Sequence, residues 1–178
     1  MKKILSTLAV LALVSFVAVS CGSAPAAKAD AGGKEAAAPA AKVPDTKGSI
    51  QLKAQKAKLT KGEGSEGLTI EAGGNVGYWS ALGDIVAFDV DVEEAGTYTL
   101  VLTYSMAASF AGAKVDISIA DQVLPWEVVS TSDWGNFKKI AIGDVELAAG
   151  SHELVFTPTF IKDRFVANLL TAFLVKVN

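Results

Sequence analysis

The sequence predicts an all-β protein, a β-sandwich jelly roll, within residues 49–178. Short apolar segments recur there at intervals of roughly 8–12 residues, separated by residues that favour turns. Several segments alternate between apolar and polar residues, which is the period of a strand with one buried face. No stretch shows the 3.6-residue period of a convincing amphipathic helix, so the spacing favours a sandwich or a jelly roll.

The clearest pattern spans residues 84–105, where two apolar segments flank a short polar link, residues 93–96. The apolar set of the first segment is Val86, Phe88, Val90 and Val92. The apolar set of the second segment is Tyr98, Leu100, Leu102 and Tyr104. Gly96 can adopt a positive φ in a tight turn. We therefore predict an antiparallel hairpin with one buried face.

The same reasoning predicts strands elsewhere in the domain. The full set of predicted strands is 50–57, 68–71, 84–92, 97–105, 114–120, 122–128, 137–147, 152–157 and 166–177. Residues 114–120 alternate cleanly, with Val115, Ile117 and Ile119 on one face. A domain of about 130 residues can bury a self-sufficient core.

The N-terminus has the pattern of an export signal. Two lysines precede an apolar run, residues 4–19, which is short for a spanning helix of about 20 residues and typical of a signal peptide. The following residues, Ala18-Val19-Ser20-Cys21-Gly22, resemble a bacterial lipobox, although Ala18 stands where Leu is usual. We therefore predict that residues 1–20 are cleaved and that Cys21 is lipidated.

Cys21 is the only cysteine, so the chain cannot form an internal disulfide, and a single thiol at this position favours lipid attachment. The alternative is ordinary cleavage near Ser20 with a free thiol. Gly22, where an aspartate would be expected for retention, resembles the pattern of lipoproteins sent to an outer membrane. We expect the protein in the cell envelope, attached to a membrane through its N-terminal lipid.

Residues 21–48 are rich in Ala, Pro, Lys and Gly and carry no apolar periodicity. Prolines and a glycine pair interrupt every window that could form a helix. These residues are predicted to be a flexible tether, which leaves residues 49–178 as the folded domain.

Charge is distributed unevenly. Residues 22–61 carry eight lysines and three acids, whereas residues 62–178 carry six basic residues and sixteen acids, a net charge of −10. Binding to a phosphate backbone requires positive charge that displaces counterions. The sequence therefore predicts that nucleic acid is not a partner.

Six segments resemble one group of known domains. They are residues 73–79, 83–86, 95–100, 131–137, 147–154 and 166–169. In this order they look like carbohydrate-binding modules of families 6 and 35, and closer still like the C-terminal accessory domains of fucosidase-like hydrolases. The resemblance covers residues 49–178. It implies a galactose-binding-like β-sandwich with a sugar site in the loops at one end, and a polysaccharide or glycan as partner.

The resemblance also implies site residues. A pyranose presents an apolar C–H face that flat rings can cover and hydroxyls that amides or carboxylates can bind. Tyr78 and Trp134 match the family's two sugar-stacking aromatics, and Asn168 matches its hydroxyl-binding amide. Glu63 or Glu66 stands near the position of a hydroxyl-binding acid.

Structural roles compete with these assignments. Tyr78 or Trp79 could plug the end of the core, and core packing is the better interpretation for Trp79. Trp126 is expected to plug an edge of the sandwich, with a wall of the site as the alternative. The amide of Asn168 could equally satisfy buried backbone groups. His152 is expected to be structural.

Departures from the family bear on metal and catalysis. Family 6 modules often hold a structural calcium, but the corresponding positions here are Lys53, Gln55 and Leu170, which do not suit a hard cation. We expect no metal and no cofactor. The sequence shows no pair of facing carboxylates and no Ser–His–Asp pattern, so we predict no enzyme activity. The predicted function is membrane-anchored glycan binding; the alternative is a structural or adhesion lipoprotein that binds a protein or has no ligand.

Overall fold

The computed structural model describes residues 42–177. The predicted signal peptide and Cys21 lie outside the described residues. Within the described part, eleven strands and one 3-10 turn, Ala54–Lys56, form an all-β sandwich, which confirms the predicted fold class. Among these residues no helix has the length and apolarity required to cross a bilayer.

The strands are β1 Ile50–Lys53, β2 Lys58–Thr60, β3 Thr69–Ile70, β4 Val76–Gly77, β5 Ile85–Val92, β6 Gly96–Ser105, β7 Lys114–Ile119, β8 Gln122–Glu127, β9 Lys138–Leu147, β10 Gly150–Phe160 and β11 Asn168–Lys176. The first sheet has the order β3-β4-β11-β6-β9, with β1 also paired to β11. The second sheet has the order β2-β5-β10-β7-β8. All described pairings between these strands are antiparallel.

The predicted hairpin of residues 84–105 is wrong. β5 lies in the second sheet and β6 in the first, so the link between them crosses from one sheet to the other. The Tyr98 hydroxyl donates to the Glu94 carbonyl at 2.6 Å, and Lys176 pairs with the Glu94 carboxylate. These two contacts hold the link in place. Alternation shows that each strand has one buried face. It does not show whether the two strands share a sheet, because facing strands of a sandwich have the same pattern.

Two short strands were not predicted. β2 is separated from β1 by the 3-10 turn, and β4 has only two residues, so neither is long enough to show a period. The predicted strands 114–120 and 122–128 form as β7 and β8, which pair with each other as antiparallel neighbours, with Ala120 at φ +49° in the turn.

The core lies between the sheets and is closed by aromatic residues. Phe156 meets both Trp79 and Phe88 edge to face, at ring-centroid distances of 6.4 and 6.0 Å. Trp126 is buried against Tyr104 at 5.1 Å, which agrees with the expectation that it is a plug. Its indole N–H has no hydrogen-bond partner among the described residues.

Asp84 is a fully buried carboxylate at the end of the sandwich that carries the loops 78–84, 106–113, 128–137 and 161–167. Its two oxygens accept backbone N–H groups of Gly62, Ser80 and Ala81 at 2.9 to 3.0 Å. Burial alone would raise the pKa of this carboxyl, but these donors hold the pKa below its usual value. The charge therefore joins two loops to the start of β5.

Residues 42–48 lie against the outer face of the first sheet. Lys42 and Pro44 line a groove with residues of β6 and β9, and the Thr46 hydroxyl accepts a hydrogen bond from Lys139 at 2.7 Å. Val101 and Phe173 point to this outer face and lie outside the main core cluster, yet both are buried. We infer that residues 42–48, together with the Lys139 side chain over the Phe173 ring, cover this patch.

Replacing Asp84 by Asn should lower the free energy of unfolding by about 3 kcal/mol at neutral pH, because buried N–H groups lose a charged acceptor. The folded-state pKa is depressed, so this stabilisation is present above the ordinary pKa of 3.8 and is lost as pH falls below it. Urea denaturation of the wild type and of Asp84→Asn should be measured from pH 7 to pH 3. The difference between their free energies of unfolding should become smaller as the pH falls. The exposed Asp116→Asn is the matched control; an equal loss in both variants would contradict this role.

The free energy of unfolding should be about 2 kcal/mol lower for a fragment of residues 49–178 than for a fragment of residues 42–178. The reason is that Val101 and Phe173 become exposed to water when residues 42–48 are removed. Urea midpoints of the two fragments measure the difference. Thr46→Ala in the longer fragment removes only the bond to Lys139 and should have a smaller effect. Equal midpoints would show that the sheet alone shields the patch.

Candidate functional site

One end of the sandwich carries a groove of about 220 Å³. Its walls are Glu71, Tyr78, Trp134, Phe165 and Asn168. The structure thus brings together all three residues predicted to bind sugar, Tyr78, Trp134 and Asn168, although they lie as far as ninety positions apart in the chain. Their binding role remains a prediction.

Tyr78 and Trp79 point in opposite directions. Trp79 is 0% exposed and donates its indole N–H to the Asp84 carbonyl at 2.9 Å, so the expectation of core packing is confirmed. Tyr78 is 53% exposed and has φ +53°, a left-handed conformation that is uncommon for a non-glycine residue. This backbone conformation directs the tyrosine ring outward while its neighbour closes the core.

Trp134 lies in the loop between β8 and β9, and hydrogen bonds hold this loop to the end of β6. The Ser105 hydroxyl donates to the Trp134 carbonyl at 2.7 Å. The Met106 N–H donates to the Thr131 hydroxyl at 2.9 Å, and the Thr131 N–H donates to the Met106 carbonyl at 2.9 Å. The Trp134 ring is half-buried and packs against the core, so its position is fixed before any ligand arrives.

Two phenylalanines complete the aromatic wall. Phe165 meets Tyr78 at 6.4 Å and Trp134 at 5.9 Å, and both rings stand nearly perpendicular to it, at 83° and 86°. Phe110 lies behind them, with centroid distances of 5.7 Å to Trp134 and 5.7 Å to Phe165. Three of these pairs are edge to face and the Phe110–Trp134 pair is tilted at 38°. Such ring contacts are favourable, so the four rings support one another.

Asn168 is the first residue of β11, and its backbone is paired with Ser105. The side chain is half-buried, and it makes no hydrogen bond with another residue in the part of the chain that the structure describes. The alternative in which this amide satisfies buried backbone groups therefore has no support within residues 42–177. The amide faces the groove with donors and an acceptor available.

Glu71 is the carboxylate of the groove. The chain turns between β3 and β4, and the Gly74 N–H donates to the Glu71 carbonyl at 2.8 Å. The buried Asn75 amide donates to the Glu71 carboxylate. A Cβ on Gly77 would lie 2.4 Å from Cδ of Glu71, so the absence of a side chain at Gly77 lets the carboxylate lie across β4 towards the groove.

The structure places neither Glu63 nor Glu66 in the groove wall. Both carboxylate oxygens of Glu66 pair with Arg164, with Nη2–Oε2 at 2.6 Å and Nε–Oε1 at 2.9 Å. Arg164 also lies over the Phe165 ring, 5.1 Å from its centroid. Glu63 is exposed. The pair Glu66–Arg164 therefore flanks the groove and supports Phe165 from outside.

Glu71 and Phe165 were missed by sequence reasoning. Phe165 is a large ring in a polar loop, the same signal that singled out Trp134. Glu71 gave a weaker signal, since only the glycine pair after it indicates that the chain folds back and brings it beside Tyr78.

The remaining predicted positions can be placed. The His152 ring donates a hydrogen bond from Nε2 to the Ala148 carbonyl at 2.8 Å, beside the link from β9 to β10, which agrees with a structural role. The calcium positions of family 6 do not fit a metal here. Lys53 and Gln55 are exposed, with the Gln55 amide against Gly74, and Leu170 offers no oxygen from its side chain. Residues 42–177 contain no cluster of three or more His, Cys, Asp or Glu side chains suited to a metal.

Solved structures share the fold. A family 35 carbohydrate binding module from Clostridium thermocellum superposes with a TM-score of 0.56 at 21% identity, covering 70% of this chain and 97% of the module. Xyl-CBM35, in complex with a disaccharide that contains glucuronic acid, superposes with a TM-score of 0.56 at 18% identity. The match covers 72% of this chain and 94% of that module.

A GH26-CBM35 β-(1,4)-mannanase from Podospora anserina superposes with a TM-score of 0.55 at 19% identity, and the match covers 73% of this chain. The chain spans only 28% of that enzyme and 18% of a Paenibacillus glucanotransferase. These likenesses show the fold.

No curated protein matches the chain. The family model of carbohydrate binding module (family 35) matches residues 50–159, which is more than half of the sequence. The chain belongs to carbohydrate binding module family 35.

Proposed function

We propose that this protein is a membrane-anchored, non-catalytic module that holds a glycan in the groove at Tyr78 and Trp134. The observation that carries the proposal is the exposed Tyr78 ring beside Trp134, Phe165 and an amide with no partner in the described residues. Rings buried in the core would have favoured the scaffold alternative. The resemblance to family 6, and the closer one to the C-terminal accessory domains of fucosidase-like hydrolases, are part of this proposal.

The size of the groove supports recognition of a short stretch of sugar. Pockets for drug-sized ligands usually measure about 300–1,000 Å³. A volume of about 220 Å³ suits one pyranose ring, with neighbouring units extending into solvent. The rings of Tyr78 and Trp134 would cover the C–H face, while Asn168 and Glu71 would bind hydroxyls at its rim.

The acids of the groove support a non-catalytic role. Hydrolysis of a glycosidic bond generally requires two carboxylates on either side of it. Glu71 is the only acid in the described groove wall, and the nearby Glu66 is committed to Arg164. The groove therefore offers binding groups without the second carboxylate.

The path of residues 42–48 supports a tether that leaves the groove free. Lys42 lines a pocket with Thr99, six residues along β6 from Ser105 at the groove end. At the rise of an extended strand this distance is roughly 20 Å. The described chain therefore begins away from the groove, and lipid on Cys21 would attach the protein to the outer membrane of the cell envelope.

Trp134→Ala and Tyr78→Ala should each weaken binding at least about tenfold, because each removes a ring that would stack on the sugar. The readout is a glycan array followed by calorimetric titration of the strongest glycan. Phe160→Ala is the control, since Phe160 is exposed outside the groove wall. Unchanged affinity in both ring variants would remove the groove from the proposal, provided that melting curves show folded protein.

Cys21→Ser should convert a membrane-bound protein into one released in the aqueous phase of a detergent partition, because the lipid chains are lost. Incorporation of labelled palmitate should disappear in the same variant. Labelled palmitate on the Cys21→Ser protein would contradict lipidation at this position.

A further inference from the structure

We infer that the groove selects sugars by charge, through Glu71, in favour of a pyranose with a free ammonium group and against a uronate. This inference rests on the proposed function, since it names the sugar class that the same groove would prefer. Neutral sugars rank between the two. Glu71 is the residue that sets the order.

The carboxylate of Glu71 has no counter-ion in the described chain. Its hydrogen-bond donor is the Asn75 amide, which is neutral and buried. Glu71 takes part in none of the salt bridges within residues 42–177. The negative charge of this side chain therefore faces the groove without local compensation.

Neither of the basic residues beside the groove, Lys162 and Arg164, belongs to its wall. Arg164 is held by Glu66 through both carboxylate oxygens. The side chain of Lys162 lies against Gly112, where a Cβ would be 2.8 Å from Cδ of the lysine. Asp163, between them in the chain, offsets one of the two positive charges of this loop. Within the described residues, the groove wall itself therefore carries one charged side chain, that of Glu71, and no cation.

This charge has different consequences for three kinds of ring. A neutral sugar donates a hydroxyl to Glu71, which is a charge-assisted hydrogen bond. An ammonium group makes the same bond and adds attraction between opposite charges. A uronate places a second carboxylate near the first, and the like charges repel one another in a partly buried site. The related Xyl-CBM35, bound to a disaccharide containing glucuronic acid, would thus differ from this chain in ligand class.

The test is calorimetric titration of the full chain with matched methyl glycosides in the gluco and galacto series. Each series contains the hexosamine, its N-acetyl form, the neutral hexose and the uronate. Glu71→Gln keeps the side-chain volume over Gly77 and an acceptor for Asn75, but removes the charge. Glu63→Gln removes an equal charge from an exposed position outside the groove wall. Glu71→Asp retains the charge and keeps the test open if the glutamine variant fails to fold.

The affinity should be highest for the hexosamine, lower for the neutral sugars and lowest for the uronate. Each step should change the affinity about tenfold, because a hydrogen bond to the charged carboxylate is gained or lost. Glu71→Gln should flatten the order, whereas Glu63→Gln and Glu71→Asp should keep it, and 0.5 M NaCl should reduce the spread in the wild type. A uronate bound as tightly as the neutral hexose, or an order unchanged in Glu71→Gln, overturns the inference while leaving glycan binding intact. Binding of no sugar in either series overturns both the inference and the proposed function.

Discussion

The arrangement of the groove depends on the buried carboxylate of Asp84 and the indole of Trp79. Asp84 accepts three backbone N–H groups through its side chain and takes the Trp79 indole N–H on its carbonyl. Leaving such donors unpaired in a buried site would cost more than the bonds themselves contribute. Because Trp79 is held inward in this way, the chain must pass through the left-handed conformation at Tyr78, and the tyrosine ring stands in solvent.

The aromatic wall is organised before binding. Phe110, Trp134 and Phe165 contact one another, and the last two line the groove. Rings already fixed by packing lose little freedom when a ligand arrives, which reduces the entropic cost of association. Weakly binding ligands depend strongly on such preorganisation, since few contacts are available to offset that cost.

The sequence was informative where residues repeat with a period and where a family pattern was present. Apolar segments between turn residues located nine of the eleven strands in the described residues. Alternation could not assign β5 and β6 to different sheets, because both arrangements bury one face. Tyr78, Trp134 and Asn168 came from the resemblance. Glu71 and Phe165 did not, because their place in the groove is created by the turn before β4 and by packing between distant loops.

The position of β11 has a consequence for where the domain can be cut. This strand pairs with β6 on one side and with β1 and β4 on the other, so it forms the middle of the first sheet. The family match ends at residue 159, before β11 begins. A protein shortened to the matched limits would lose the strand that joins both halves of that sheet, together with Phe165 and Asn168. The part of the sequence that the family model matches is therefore smaller than the part that builds the first sheet.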